Sequence, residues 1–382
     1  MVQEITTQSW FSRIGGAFAG ILIGIALIIG SFALIFWNEG QGLHTAQSLR
    51  QTQQVLISVP NTPIDKNNNL KVVYFSGTAT TGDTIKDSLL DISAKAIRIE
   101  RHVKMYQWEQ HEETKTESEI GGSEKKITTY TYHPVWSSTL IDSTGFKEAE
   151  GHKNPVRMPI QSMQIEANKV TVGDFTLPPE LVEKISKETT VDLSAVNTAK
   201  IQTKTKLKVQ QDNHDLYLGS DMQNPQIGDA KITLVEILPQ TVSVIAQQSD
   251  NTLQPYVAPA GKPIEMLVSG QQSSAQMIQD AQRENAMMIW ILRVASLILM
   301  IIGISLIFRP IIVLADIIPL FGSIVGFGVG IIAFLGGLIL WTIGTAIAWF
   351  AVRPLFAIAL IVLVALTCYY VILSRKNLVK KG

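Results

Sequence analysis

Residues 311–373 read IIVLADIIPLFGSIVGFGVGIIAFLGGLILWTIGTAIAWFAVRPLFAIALIVLVALTCYYVIL, and Asp316 and Arg353 are the only charged side chains among them. Roughly 20 consecutive apolar residues already cross a bilayer, so the stretch is too long and too apolar for the core of a water-soluble domain. It divides at its breakers. The spacing predicts a transmembrane helix over 323–350, a turn at 351–354 carrying Arg353-Pro354, and a further span over 355–373. Residues 309–322, with Asp316 and Pro319, are too irregular for a plain span and read as an interfacial or re-entrant segment. Residues 374–382 form a basic tail.

Two more apolar runs lie outside this stretch. Residues 288–308 carry a single charge, Arg293, and continue without a breaker from the helix-forming residues 271–285, so a stalk helix leads into this span. Residues 14–37 carry no charge and end in Phe36-Trp37-Asn38-Glu39-Gly40. An interfacial aromatic followed by polar residues, with no small-residue cleavage site, reads as a retained anchor and not a signal peptide. Four spans place both termini on one side. Arg13, Arg309 and the tail cations flank that side and Arg353 the other, so the positive-inside bias assigns residues 1–13 and the tail to the cytoplasm. Residues 38–287 are then extracytoplasmic, periplasmic or lumenal.

That central segment is polar and large enough for its own core. Period-two alternation predicts strands over 71–79, 97–108, 127–136, 163–175, 201–210, 231–238 and 241–247. The second and third of these pair as a long hairpin whose charged turn, 109–124, is solvated; the last two form another hairpin across Pro239-Gln240. A short helix is expected at 180–187 and a helical stem at 45–56. The fold class is therefore a four-span α-helical membrane protein carrying a large extracytoplasmic β-rich α+β domain.

The chain's chemistry is mostly exclusionary. Its net charge is zero, which leaves no basic field for nucleic acid. One cysteine, Cys368, permits neither an intrachain disulfide nor a thiolate zinc site. The six histidines form no metal-ligand spacing, and no nucleophile elbow, Walker loop or dinucleotide fingerprint is present. Catalytic, cofactor and metal residues are thus expected to be absent, and the protein is expected not to be an enzyme. What remains is packing. Gly16, Gly20 and Gly24, and again Gly322, Gly326 and Gly330, recur every four residues and form grooves for close helix approach. Asp316 is an ionisable group at membrane depth and, with Pro319 and Arg353, is the candidate functional intramembrane set.

Six stretches carry a resemblance that covers nearly the whole chain. They are Phe36–Gly40, Arg101–Trp108, Gly151-His152-Lys153-Asn154-Pro155, Val242–Ala246, the Arg283…Asn285…Trp290 entry to the second span, and Trp349…Arg353-Pro354-Leu355. In that order they resemble the transmembrane protein 43 family, also called LUMA. The resemblance singles out Trp37, Asn38, Glu39, Gly40, Gly151, His152, Asn154 and Pro155 as motif positions. It implies an N-terminal span, a large lumenal domain and a C-terminal membrane cluster. In animals it implies the inner nuclear membrane and endoplasmic reticulum, and a self-associating organiser of membrane-protein complexes; it brings no catalytic residues.

The absence of an Asn-x-Ser/Thr sequon favours a bacterial member in the inner membrane. The expected function is a multi-pass membrane scaffold that forms a homo-oligomer, with membrane lipids and other membrane proteins as partners. A lipid-handling or transport device built on Asp316 and Pro319 is the alternative.

Overall fold

The alternation that begins at Arg98 produces the longest strand of the protein, Arg98–Ser118, paired with Glu124–Ser137 as the expected hairpin. The computed structural model describes residues 2–212, 214–353 and 362. They form two compact units. The first comprises the residues up to Thr6, Ser48–Lys115 and Lys126–Asp280; the second comprises Thr7–Gln47, Thr116–Lys125 and the residues from Ala281 onward.

The first unit is built on two sheets. One runs in the order Val2–Gln8, Glu124–Ser137, Arg98–Ser118, Ala230–Ile237, Asp215–Leu218 and Val209–Asp212. Its central pairing is antiparallel, with Ile232 opposite Val103 and Ala230 opposite Met105, so apolar side chains meet on one face. Ile99, Val103, Leu216, Ile232 and Leu234 bury there against Leu193 and Ile201. The other sheet runs Met266–Ser269, Gln240–Ser249, Thr252–Gln254, Phe175–Thr176, Thr171–Val172, Val72–Thr80 and Ile57–Ser58. A further pairing of Gln240–Ser249 with Val72–Thr80 closes five of these strands into a ring. Phe75 and Phe175 stack within its core at 4.4 Å, with Val73, Val172, Val242 and Val244 around them.

Several sequence expectations are corrected here. Strands 231–238 and 241–247 are not hairpin partners. Ala230–Ile237 belongs to the first sheet and Gln240–Ser249 to the second. The run Val242–Ala246 is buried at every position, as in a strand covered on both faces, and that covering comes from different neighbours. Residues 201–210 do not form one strand: Ala199–Thr205 is a short helix and Val209–Asp212 a strand, divided at Lys206, whose φ is 63°. Asn197 starts that helix by accepting from the Ala199 amide at 3.0 Å, and Ile201 is its single buried anchor. Residues 163–175 break into Met163–Glu166, Thr171–Val172 and the start of Phe175–Thr176, the last two folded against each other at Gly173, whose φ is 59° and where a Cβ would stand 2.3 Å from the Asn61 carbonyl oxygen. Arg98 and Arg101 are buried despite lying in the hairpin strand. Arg101 reaches both carboxylate oxygens of the fully buried Asp87 at 2.7 Å.

Among the described residues three helices, lying mostly in the second unit, are long and apolar enough to cross a membrane: α1 (Trp10–Val55), α2 (Ser274–Ala315) and α3 (Pro319–Val352). Helix α1 is about 69 Å long at 1.5 Å per residue, so the span and the expected stem are one rod. The irregularity expected over residues 309–322 is confined to 316–318. Helix α2 runs through Pro310 to Ala315, and Pro319 opens α3 at a position where a missing amide hydrogen costs nothing. The expected fourth span, 355–373, lies outside the described residues apart from Val362.

Residues 2–8, expected to be a polar tail, instead form an edge strand. Glu4 anchors it, accepting from Lys147 at 2.9 Å and from the Tyr130 hydroxyl at 3.0 Å. The Lys147 hydrogen bond, followed by that of Tyr130, holds the Glu4 carboxyl below its ordinary range. This contribution is present above the ordinary carboxylate pKa and is lost as pH falls. Glu4→Gln is therefore expected to speed amide exchange of Val2–Gln8 at neutral pH while leaving Ala230–Ile237 unchanged. The difference from the parent protein should shrink as pH falls through the ordinary carboxylate range and vanish only once the lowered Glu4 carboxyl is itself protonated.

Candidate functional site

Close helix approach in the second unit rests on two glycines. A Cβ on Gly24 would stand 2.5 Å from the Gly303 carbonyl oxygen, and one on Gly303 would stand 2.8 Å from the Gly24 oxygen. With no Cβ on either, the α1 and α2 backbones meet directly. Polar groups fasten the same pair. The Ser31 hydroxyl donates to the Ser296 carbonyl at 2.7 Å, Asn38 to the Ile289 carbonyl at 3.0 Å, and Asn285 to the Gly42 carbonyl at 3.0 Å. Helix α3 joins through Gly337 against Ile301, Gly344 against Phe32, and the Trp341 indole, which donates to the Arg293 carbonyl and Ser296 hydroxyl at 3.0 Å.

Charged clusters close both ends of this assembly. At one end Arg13 bridges Asp316 and Glu124, each at 2.6 Å, and donates to the Gly122 carbonyl. Ser118 donates to Asp316 at 3.0 Å, the Gly121 amide to the Ile317 carbonyl at 3.0 Å, and the Trp10 indole to the Val313 carbonyl at 2.9 Å. Arg13 and Asp316 are only 8% and 6% exposed, so the pair exchanges water for each other. At the other end Glu39, 3% exposed, accepts from Arg293 Nε at 2.7 Å and lies 3.8 Å from Arg353. The two guanidinium groups cap indole faces, Arg293 over Trp290 at 4.9 Å and Arg353 over Trp349 at 5.0 Å.

The sequence-selected residues are distributed unevenly. Gly24 lies at the helix contact; Gly20 faces the Leu306 carbonyl at 3.7 Å, the oxygen that Pro310 leaves without its helical donor. A Cβ on Gly322 would meet Asp316 and one on Gly326 would meet Ile312, whereas one on Gly16 or Gly330 would meet nothing within 4 Å among the described residues. Asp316 and Arg353 fall into opposite clusters, and Pro319 only begins α3. Asn38 and Glu39 are buried, while Trp37 is exposed and Gly40 has nothing within 4 Å. The hairpin end is exposed from His111 to Gly121, as expected, and its tip is in addition tied down through Ser118, Gly121, Gly122 and Glu124. Arg13, Glu124, Arg293 and Gly303 were not singled out. Arg13 had one signal, being the last charge before an uncharged run. Among the described residues no group of three His, Cys, Asp or Glu side chains could hold a metal ion.

A profile described as Transmembrane protein 43 matches residues 105–354, well over half of the chain. The chain belongs to the transmembrane protein 43 family. Transmembrane protein 43 of Mus musculus is 29% identical over 359 residues, covering 91% of this chain and 88% of the mouse protein. The Homo sapiens protein is 28% identical, covering 94% and 90%, and a Drosophila melanogaster homolog is 26% identical, covering 74% and 75%. No solved structure matches. The chain is thus an integral multi-pass membrane protein of the transmembrane protein 43 family.

The family motif Gly151–Pro155 lies in the first unit, where it clasps the hairpin. His152 stacks on Tyr132 at 3.8 Å and meets Trp108 edge-on at 4.8 Å. Asn154 accepts from the Trp108 amide at 2.7 Å and donates to the Trp108 carbonyl at 2.8 Å, reproducing a strand partner with one side chain. Pro155 lies 3.3 Å from the Cβ position of Gly228. Each contact is structural.

Four outcomes test these assignments. Arg13→Gln is expected to destabilise by about 3 kcal/mol or more, because it leaves two carboxylates facing one another; Asp316→Asn should cost less, since Glu124 still neutralises Arg13. Thermal unfolding of the purified protein checks the order. In the same assay Gly24→Leu and Gly303→Leu should be severely destabilising and Gly16→Leu near neutral. Asn154→Ala should lower first-unit stability by about 2 kcal/mol through the unpaired Trp108 backbone. Finally, in a Cys368→Ser background, Ile120→Cys and Thr7→Cys should react with an impermeant thiol reagent from the same side of the membrane. Labelling from opposite faces would show that the hairpin tip does not reach Arg13.

Proposed function

We propose that this protein is a non-enzymatic membrane scaffold, with the helical unit as a rigid platform and the β-rich unit as the partner-binding surface. The observation that carries the reading is how the intramembrane charges are used. Asp316 is 6% exposed and held by Arg13 at 2.6 Å and Ser118 at 3.0 Å. Glu39 is as thoroughly engaged at the opposite end. A carboxylate that carries an ion or proton must exchange partners and meet water, whereas one enclosed with a guanidinium fixes helices in place. The alternative device built on Asp316 and Pro319 would require that exchange.

On this reading the protein forms a homo-oligomer through the surface of α3 where a Cβ on Gly328 or Gly330 would meet nothing within 4 Å among the described residues and Phe327, Ile331 and Phe334 are exposed. Other membrane proteins and lipids are its partners. The proposed setting is a bacterial inner membrane; the positive-inside bias puts residues 1–13 and 38–287 on opposite sides, whereas the pairing of Val2–Gln8 with Glu124–Ser137 favours one side for both.

The test is the mass of the protein extracted in native membrane particles, with bound proteins identified in the same sample. A defined oligomer that carries other proteins in fixed ratio, and that dissociates on Gly330→Leu, is the expected result. A monomer with no associated protein would overturn the scaffold.

A further inference from the structure

The polar face of the first sheet carries a pocket that the scaffold reading does not use. Its volume is about 220 Å³, and His102, Lys104, Trp136, Asp215, Lys231 and Thr233 line it. The antiparallel register sets Lys104 directly opposite Lys231, and His102 opposite Thr233. Like charges so placed, with Cβ atoms roughly 5 Å apart, destabilise a sheet. The two strands cannot slip to relieve it. Val103 and Ile232, the next pair in the register, are wholly buried on the other face, and a shift of one residue would exchange the faces.

The protein does little to offset this repulsion. Among the described residues neither lysine has a carboxylate partner. Asp215 accepts the Thr233 hydroxyl at 2.6 Å, and His102 Nε2 is turned to Glu100 at 3.4 Å. Two lysines against one aspartate leave the lining with a positive surplus. Lys231 is also held in place, its Nζ 4.6 Å from the centre of the Trp136 ring. That indole is fixed in turn by Tyr106 at 5.0 Å and the buried Tyr217 at 6.2 Å. A cation ordered before its ligand arrives loses less freedom on binding it.

Chemistry and size narrow the anion. A planar carboxylate is matched by the fork of arginine, whereas ammonium groups act as point charges and suit a tetrahedral phosphate with oxygens in every direction. Pockets that enclose a whole small molecule run from roughly 300 to 1,000 Å³, so this one suits a phosphoryl group and the first atoms of its carrier. We propose that the pocket binds a phosphate group, with Lys104 and Lys231 on its anionic oxygens and Asp215 accepting from a hydroxyl of the ligand. The site does not depend on the scaffold reading, and the oligomer mass that tests the scaffold leaves it untouched.

The test is calorimetric titration of the full-length protein, in phosphatidylcholine nanodiscs at neutral pH, with inorganic phosphate. Saturation at one phosphate per chain is expected. Sulfate has the same shape and no proton to give Asp215, so it should bind roughly tenfold more weakly or worse. Lys104→Gln and Lys231→Gln should each weaken phosphate by a similar factor of about ten or more. Without phosphate, Lys104→Gln should unfold at a higher temperature than the parent because the cross-strand repulsion is gone, which also shows that the variant folds. Displacement of phosphate by phosphatidylcholine vesicles containing phosphatidic acid would identify the ligand as a lipid head group; displacement by glycerol 3-phosphate alone would identify a soluble ester. An absence of saturable binding, equal affinity for sulfate, or binding unchanged in both lysine variants overturns the proposal.

Discussion

A charge withdrawn from water at the end of a membrane helix has to find its counter-charge in the protein itself, and the helical unit is arranged around that requirement. Arg13 takes two carboxylates at one end; Glu39 takes a guanidinium at 2.7 Å and a second at 3.8 Å at the other. Between these clusters the helices are held by shape, with Gly24 and Gly303 allowing backbone to touch backbone. Neither device substitutes for the other. Helix packing in lipid lacks a hydrophobic driving force between the helices, so close contact and a few polar fastenings must decide which faces meet. The charge clusters then fix register along the axis, because a slip of one turn, about 5.4 Å, would leave buried ions unpaired.

The large outline was legible in the residues. Long uncharged runs announce membrane helices whatever their neighbours do, and period-two alternation announces a half-buried strand. The pairing of elements was much less legible. Ala230–Ile237 and Gln240–Ser249 are adjacent in sequence and carry strand patterns, yet their partners come from residues 98–105 and 72–79. The alternation at 201–210 suits a strand equally well, but only Ile201 of the short helix Ala199–Thr205 is buried. Pro310 and Pro319 suggested an irregular segment, while the helix simply ran past the first and began at the second.

The candidate site followed the same rule. Asp316 could be picked out because a carboxylate is anomalous in an apolar run, but its partner lies 303 residues away. Glu124 was hidden in a charged hairpin turn, where a solvated face is the ordinary explanation. Gly303 repeats in no stripe of its own, so only its apposition to Gly24 reveals its use. The role of Gly151–Pro155 could not be read from the residues. That role is hydrogen bonding to the Trp108 backbone and stacking between Tyr132 and Trp108, which no spacing encodes.

The span from Arg13 to Asp316 also imposes an order on biosynthesis. Arg13 enters the membrane region with the first helix, and Glu124 follows in the hairpin, but Asp316 is made 303 residues after Arg13. At roughly 5–20 residues per second, that is an interval of about 15–60 s. Throughout it, the first helix has an incompletely neutralised arginine at its end and Gly24 faces no Gly303. The newly inserted helix is thus an unfinished substrate for the insertion and quality-control machinery, which must tolerate or shield it until the second helix emerges.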